Sequence, residues 1–295
     1  MTTALLDRRV WTILSVINWW TAYLERIEID SPRLTVELIL ARVLGCSRID
    51  LYKKFHQPLH PKELGSLKEM FRRRVAREPL QYILGDTEFM GLHFFVDRRV
   101  LVPRPETEVL VEQAIREVRD KNTARVLDVG TGSGNIAVSL ALAVTTVMID
   151  ALDVSGRALA VAEENIRFHA VADRVRTVRV DIFDDGFETS LPTYDLIVSN
   201  PPYVSKKEFE HLAPEIREYE PPMATTDNGD GLTFYRRIAR LGKSLLQEHG
   251  AIFVEVGYGQ AEGVAGLFTD AGYTVLDAVR DYQNIDRVLK VSRAA

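Results

Sequence analysis

From residue 124 to the end of the chain, short runs of branched apolar residues alternate with stretches of helical periodicity, and this constrains the fold more than any other feature. The runs cover residues 125–129, 147–153, 175–181, 194–199, 251–256, 273–279 and 287–291. Runs this apolar are buried on both faces, and parallel strands need helical crossovers between them, so the alternation predicts a parallel sheet with helices on both sides. Helices are expected to open at about Asn135 and to span about 156–169, 233–247 and 260–271. About seven residues separate the last two runs, too few for a crossover, so one strand of the sheet is expected to run antiparallel. Residues 205–226 are polar and punctuated by prolines, which fits either a lid over a substrate or a plain surface excursion.

Ligands of open α/β sheets bind outside the carboxyl ends of the strands. The first run carries Asp128 and leads into Gly130-Thr131-Gly132-Ser133-Gly134. Glycines between a strand and a helix let a ligand approach the backbone closely at the helix start. A dinucleotide site would place its third glycine one position later, where Asn135 stands, so the spacing disfavours a nicotinamide cofactor. Asp153, about 20 residues beyond the loop, has the chemistry and position to accept both hydroxyls of a ribose. Each such bond to a charged carboxylate contributes about 1.5–3 kcal/mol. Asp128 is expected either to hold the loop or to contact an ammonium group. Asp181 ends the third run, where it could accept from an adenine amino group.

The fourth run, 194–199, ends in Asn200-Pro201-Pro202-Tyr203. Neither proline can donate to a ladder, and Pro201 pushes Asn200 toward an extended conformation, so the strand stops with Asn200 at the sheet edge. An amide or exocyclic NH2 is a poor nucleophile because its lone pair is delocalised. Two acceptors, the Asn200 side-chain oxygen and the Pro201 carbonyl, could hold both of its hydrogens and draw the nitrogen toward a tetrahedral arrangement, with the Tyr203 face packed on the planar group. The alternative is a turn that merely ends a strand. An adenosine-bearing ligand at three strand ends and an NH2-binding set at the fourth point to methylation by S-adenosylmethionine.

At 295 residues the chain has room for two domains. Its net charge of -5 argues against a surface that tracks nucleic acid throughout. The single cysteine, Cys46, excludes internal disulfides and agrees with a reducing compartment. The six histidines have no metal-site spacing, and no metal is expected. Neither an apolar span near 20 residues nor a secretory leader is evident, so no membrane association and a cytoplasmic location are expected, with an organelle left open. Residues 7–77 read as helices. Val10, Ile13, Leu14, Ile17, Trp20 and Leu24 share one face, which makes the tryptophans core rather than cofactor site. Asp30-Ser31-Pro32 is a start signal, with a capping residue and a first-turn proline. Leu34, Leu38, Ile39, Val43 and Leu44 form the apolar face of the next helix, ended by Gly45. A third helix over 61–77 carries Arg72, Arg73, Arg74 and Arg77, either a solvated face or a surface for a nucleic-acid-rich partner. From Leu80 to Pro103 the pattern reads as a hairpin bridging two domains. A helix opens at Val109, capped by Thr107 or Glu106.

Several of these stretches together resemble the release-factor glutamine methyltransferases. They are Ser31-Pro32-Arg33-Leu34 with Glu37-Leu38, 78–85 (Glu78-Pro79-Leu80-Gln81-Tyr82-Ile83-Leu84-Gly85), Leu101 to Glu108 (Leu-Val-Pro-Arg-Pro-Glu-Thr-Glu), Asp128 to Gly134, and Asn200 to Tyr203. The glycine loop and the Asn-Pro-Pro-Tyr element are shared with other aminomethyltransferases; residues 103–108 are the specific part. The resemblance covers nearly the whole chain. It implies a class I S-adenosylmethionine-dependent methyltransferase fold, a Rossmann-like, mostly parallel seven-stranded α/β sheet at 104–295. It also implies a small all-α substrate-recognition domain at 1–79, joined to the sheet domain by a hairpin at 80–103. The implied reaction methylates the side-chain amide of the glutamine in the Gly-Gly-Gln loop of class I peptide chain release factors, with S-adenosylhomocysteine as product. By carry-over, Gly130, Thr131, Gly132, Ser133, Gly134, Asp153, Asp181, Ile182 and Asn200 would meet the cofactor. Asn200, Pro201, Pro202 and Tyr203 would bind the glutamine and act in catalysis. Ile182 stands where many relatives are expected to carry an aromatic, so adenine stacking is weaker or comes from another residue. A monomer is expected, and no direct nucleic-acid partner. An adenine-N6 methyltransferase of DNA or RNA, a ribosomal-protein glutamine methyltransferase and a non-catalytic nucleotide-binding module are the alternatives.

Overall fold

The computed structural model describes residues 10–293, which divide into two units at Gly85 and Asp86. The first unit opens with α1 (Ile13–Arg26). Thr12 and Ser15 cap it reciprocally: each side-chain hydroxyl accepts from the other residue's backbone N–H. The helical reading from about residue 7 begins outside the described residues. Ile13, Ile17 and Leu24 are buried as expected, but Val10 precedes the helix and is exposed. Trp20 stacks on Phe71 with ring centroids 4.1 Å apart, a core contact.

Helix α2 (Pro32–Leu44) starts on its proline, but Ser31 sits in the left-handed region and its side chain makes no capping bond. Its buried face is Val36, Ile39 and Leu40; Leu34 is exposed and Leu38, Val43 and Leu44 only half-buried. Apolar residues are spread around this helix, so periodicity alone left the face ambiguous and packing selected it. Glu37 is buried on that face, its carboxylate accepting from Arg33 Nε (2.9 Å), Arg48 Nη2 (2.7 Å) and Tyr52 Oη (2.6 Å). A buried charge persists only with such partners. The unit continues with α3 (Arg48–Lys53), α4 (Pro61–Val75) and α5 (Leu80–Leu84). The arginine cluster is engaged within the unit. Arg72 pairs with Glu69 and Arg73 with Glu78, while Arg74 and Arg77 donate to backbone carbonyls. Residues 80–84, expected within the hairpin, are helical because Leu80 and Leu84 pack on the helical core.

In the second unit β1 (Asp86–Phe89) pairs antiparallel with β2 (Leu92–Phe95) around Met90 and Gly91, both at positive φ, the geometry of a tight hairpin turn. Residues 100–102 form no strand. Helix α6 (Pro105–Val118) begins four residues earlier than expected, and neither Glu106 nor Thr107 caps it. There follow β3 (Ala124–Val129), α7 (Asn135–Ala143), β4 (Val147–Asp153), α8 (Gly156–Phe168), β5 (Val175–Arg179) and β6 (Tyr194–Ser199). Residues 205–226 hold three short helices, α9 (Lys206–Phe209), α10 (Pro214–Tyr219) and α11 (Pro222–Thr225). The unit ends with α12 (Thr233–Leu245), β7 (Leu246–Glu255), α13 (Ala261–Asp270), β8 (Tyr273–Arg280) and β9 (Asp286–Arg293).

The seven strands lie in the order β5-β4-β3-β6-β7-β9-β8, all parallel except β9, which runs antiparallel to both neighbours. Successive side chains of a strand point to opposite faces. Val126, Leu196, Val198 and Phe253 pack with Leu110, Leu140 and Ile166 on one side. Leu127, Ile197, Ile252 and Val254 pack with Ile238, Leu241, Val264 and Phe268 on the other. No described helix is long and apolar enough to cross a membrane.

Candidate active site

The chain runs from β3 outward through β4 and β5, then returns to place β6 and β7 on the other side of β3. The crevice between β3 and β6 is therefore the switch point of the sheet, with Val129 and Ser199 paired at its floor. A cavity of about 290 Å³ opens there. Gly130, Thr131, Gly132, Ser133, Asp153, Asp181, Ile182, Asn200, Pro201 and Pro202 line it; Gly134 and Tyr203 do not.

On the β3 side the loop is held by carboxylates. Asp128, fully buried, accepts from Thr131 Oγ1 at 2.6 Å. Of the two roles open to it from sequence it takes the loop-holding one, and it does not reach the cavity. Burial pushes its carboxyl up to about 7, against the lowering effect of the Thr131 bond. Asp153 accepts from Gly132 N (3.0 Å) and Ser155 N (2.9 Å), one bond on each oxygen, which leaves each oxygen a further lone pair. Burial raises this carboxyl too, and the backbone donors oppose the rise. Gly134 is at φ 79°, and a Cβ there would lie 3.2 Å from the Ala162 Cβ, so this glycine serves the packing of the loop on α8. Asn165, which sequence reasoning missed, is buried beneath the loop. It donates to the Ser133 carbonyl and makes both backbone bonds to Phe95 of the hairpin. An asparagine at a core position of an amphipathic helix was the available signal.

Asp181 lies two residues past the end of β5, where Oδ1 accepts from Phe183 N at 2.9 Å. Ile182 is buried, and its carbonyl accepts from Arg237 Nε. The neighbouring Phe183 is half-exposed, lines the cavity and meets Phe234 edge-on at 5.2 Å. An aromatic thus lines the cavity one residue after position 182. The two arginines of the lining are already engaged, Arg99 with Asp97 and Arg104 with the buried Glu220 at 2.6 Å. This leaves the cavity better suited to a ligand without phosphates.

On the β6 side Asn200 donates from Nδ2 to Thr107 Oγ1 at 3.0 Å, and Thr107 donates to Glu255 Oε2 at 2.6 Å. The Asn200 Oδ1 and the Pro201 carbonyl accept no hydrogen bond among the described residues. Glu255, at the end of β7, is fully buried, and burial pushes its carboxyl up to about 7. Tyr203 turns its hydroxyl to Glu255 at 3.4 Å, so the ring backs the segment instead of facing the cavity. From sequence Thr107 is expected only as a helix cap, and Glu255 is not singled out; a charged residue closing the apolar run of β7 is its one local sign.

The Tyr203 carbonyl accepts from Gln260 Nε2 at 2.9 Å. Gly231, at φ 82°, packs so closely that a Cβ would fall 2.6 Å from that carbonyl oxygen. Gly231→Ala is therefore expected to displace the segment starting at Asn200 and lower kcat. The left-handed backbone adds a loss of about 1–2 kcal/mol in thermal or denaturant unfolding. Unchanged kcat would show that the segment tolerates the shift.

Residues 15–85 match the family described as PrmC N-terminal domain, and residues 106–217 the methyltransferase small domain. Over 282 residues the chain is 42% identical to a release factor glutamine methyltransferase of Geobacter sulfurreducens, covering 95% of this chain and 96% of that one. A release factor glutamine methyltransferase of Chlorobaculum tepidum is 38% identical over 291 residues, covering 96% and 98%. Among solved structures, a methyltransferase from Pyrococcus furiosus has a TM-score of 0.52 at 16% identity, covering 79% of this chain and 99% of that one, a likeness of fold.

Proposed function

The chain belongs to the release factor glutamine methyltransferases, and on that premise we propose that it methylates the side-chain amide nitrogen of the Gly-Gly-Gln glutamine in class I peptide chain release factors. The methyl donor is S-adenosylmethionine and the product S-adenosylhomocysteine. The observation that carries this reading is the Asn200 amide, whose nitrogen is engaged and whose oxygen is uncommitted beside the Pro201 carbonyl at the rim of the cavity.

The donor set fits the cofactor. Asp153 keeps lone pairs for ribose hydroxyls, Asp181 is an acceptor for the adenine amino group, and Leu152, Ile182 and Phe183 offer apolar surface to the base. The glycine loop brings backbone close to the remainder. When bound, the cofactor supplies a methyl group on a sulfonium sulfur. Asn200 Oδ1 and the Pro201 carbonyl accept the two N–H hydrogens of the substrate amide, which draws its lone pair out of conjugation. Positive charge grows on that nitrogen during transfer, and both acceptors oppose it most strongly then, so they stabilise the transition state more than the ground state. Holding nucleophile and methyl together contributes about 7–11 kcal/mol relative to free reactants. The nitrogen becomes acidic only once methylated, so its proton leaves to water without a dedicated base. Tyr203, turned to Glu255, supports the segment.

Incubation with methyl-labelled S-adenosylmethionine and, in parallel, a class I release factor, ribosomal protein or DNA tests the assignment. Label on the release factor, located by mass spectrometry to the Gly-Gly-Gln glutamine, is the expected result. Label confined to ribosomal protein or DNA, or binding of cofactor without transfer, would overturn it.

A further inference from the structure

We propose that Thr107 and Glu255 are positioning residues that fix which end of the Asn200 amide faces the substrate. The inference rests on reading Asn200 as the acceptor for the substrate amide. An asparagine side chain is nearly symmetric in shape, and turning it over exchanges an acceptor for a donor. Presented the wrong way round, it would offer N–H to an N–H and hold nothing. What decides its orientation is Thr107, buried on α6, which has one hydroxyl proton. Glu255 Oε2 lies 2.6 Å away, and a carboxylate only accepts, so the proton is committed to it. Thr107 Oγ1 can then only accept, and it does so from Asn200 Nδ2 at 3.0 Å. A turned amide would set oxygen against oxygen. The charge on Glu255 is thereby passed, through one hydroxyl, to the choice of atom at the cavity rim.

The arrangement has a second state. Protonated Glu255 can donate to Thr107, which frees the Thr107 proton for Asn200 Oδ1 and permits the unproductive amide. Glu255 is faced by Thr107 and Glu106 from α6, Tyr203 from the segment after β6, and Arg287 from β9; the Tyr235 hydroxyl of α12 bonds its backbone carbonyl. Burial and Glu106 favour the proton, while Thr107, Arg287 and Tyr203 oppose it, and the balance lies near neutrality at about 7. Turnover is accordingly expected to fall as pH drops through that region, while cofactor affinity does not follow.

The test compares Thr107→Val, Thr107→Ser, Glu255→Gln and Asn200→Ala by steady-state kinetics across neutral pH, with S-adenosylmethionine affinity measured by calorimetry and folding by thermal unfolding. Valine keeps the volume and removes the hydroxyl. The expected result is a fall in kcat of about 10–100-fold for Thr107→Val, on the scale of losses from small misplacements, with affinity unchanged and Thr107→Ser restored to within a few-fold. Glu255→Gln cannot ionise, and its kcat should lose the acid limb of the wild-type profile. Thr107→Ser as impaired as Thr107→Val would make the role one of packing and overturn the proposal. So would full activity of Thr107→Val while Asn200→Ala is inactive, an outcome that leaves the catalytic reading of Asn200 standing. Full activity of both variants would remove that reading as well. Should Thr107→Val fail to fold, an acid limb that survives in Glu255→Gln is by itself sufficient to reject the proposal.

Discussion

Asn200→Ala is expected to lower kcat by about 10²–10³-fold, the cost of removing one preorganised group from a charge-stabilising site, with the cofactor dissociation constant little changed. The asymmetry follows from geometry. The cavity is lined on its β3 side by the glycine loop and Asp153, neither of which bonds to Asn200, so the cofactor keeps its contacts when the amide is removed. On the proposed mechanism, the substrate nitrogen loses one of two acceptors at the moment charge develops on it. Asn200→Asp is not expected to restore activity: a carboxylate has no N–H for Thr107, whose own proton is given to Glu255. Single-turnover kinetics with saturating cofactor, alongside equilibrium binding, checks both statements. Equal losses in kcat and cofactor affinity would make Asn200 a binding residue and remove it from the chemical step.

The cofactor-free protein is expected to lose stability as pH rises toward 8. Asp128 and Glu255 are both fully buried, and burial lifts each carboxyl to about 7. Between the ordinary carboxylate range and about 7 the folded state retains protons that the unfolded chain has released, so the unfolding free energy falls with pH across that window, and the loss is complete above it. Every tenfold gain in proton affinity on folding is worth about 1.4 kcal/mol, so these two groups contribute to the slope, together with Asp153 and Glu220, which burial raises in the same direction. The double variant Asp128→Asn, Glu255→Gln carries no such protons and should show a flatter dependence. Thermal unfolding between about pH 5 and pH 8 reads the effect, a midpoint change of several degrees. A wild-type midpoint that is level or rises over this range, or equal slopes in wild type and variant, would contradict it. The two charges are costly in the folded state, and each has a task there: Asp128 pins the glycine loop through Thr131, and Glu255 holds Thr107.

Where local pattern carried the information, the reading of the chain needed little correction. The β6 run stops at its prolines, the glycine loop opens α7 at Asn135, and β9 reverses after a connection too short to cross the sheet. Where several local solutions were equally good, it did not suffice. Helix α2 has apolar residues on more than one side, and its buried face includes a glutamate because Arg33, Arg48 and Tyr52 converge on it. Thr107 looked like a cap beside a proline-bounded helix start; its hydroxyl instead serves the sheet edge, since α6 begins at Pro105 and lays Thr107 against β7. Tyr203, expected from sequence as a face for the substrate, directs its hydroxyl to Glu255 at 3.4 Å and does not line the cavity, a contact that local pattern does not encode.

Sequence alone determined the alternation of the seven strands with their longer helices from residue 124 onward, and the asparagine that closes β6 at the carboxyl edge of the sheet, because hydrophobic period, proline and glycine act within a few residues of themselves. Tertiary structure decided which atom of that asparagine is offered. Its partner Thr107 stands 93 residues away, and Thr107 in turn bonds Glu255 across a separation of 148 residues. Such a chain of hydrogen bonds exists only once β6, β7 and α6 are laid side by side in register, and no local pattern encodes that register.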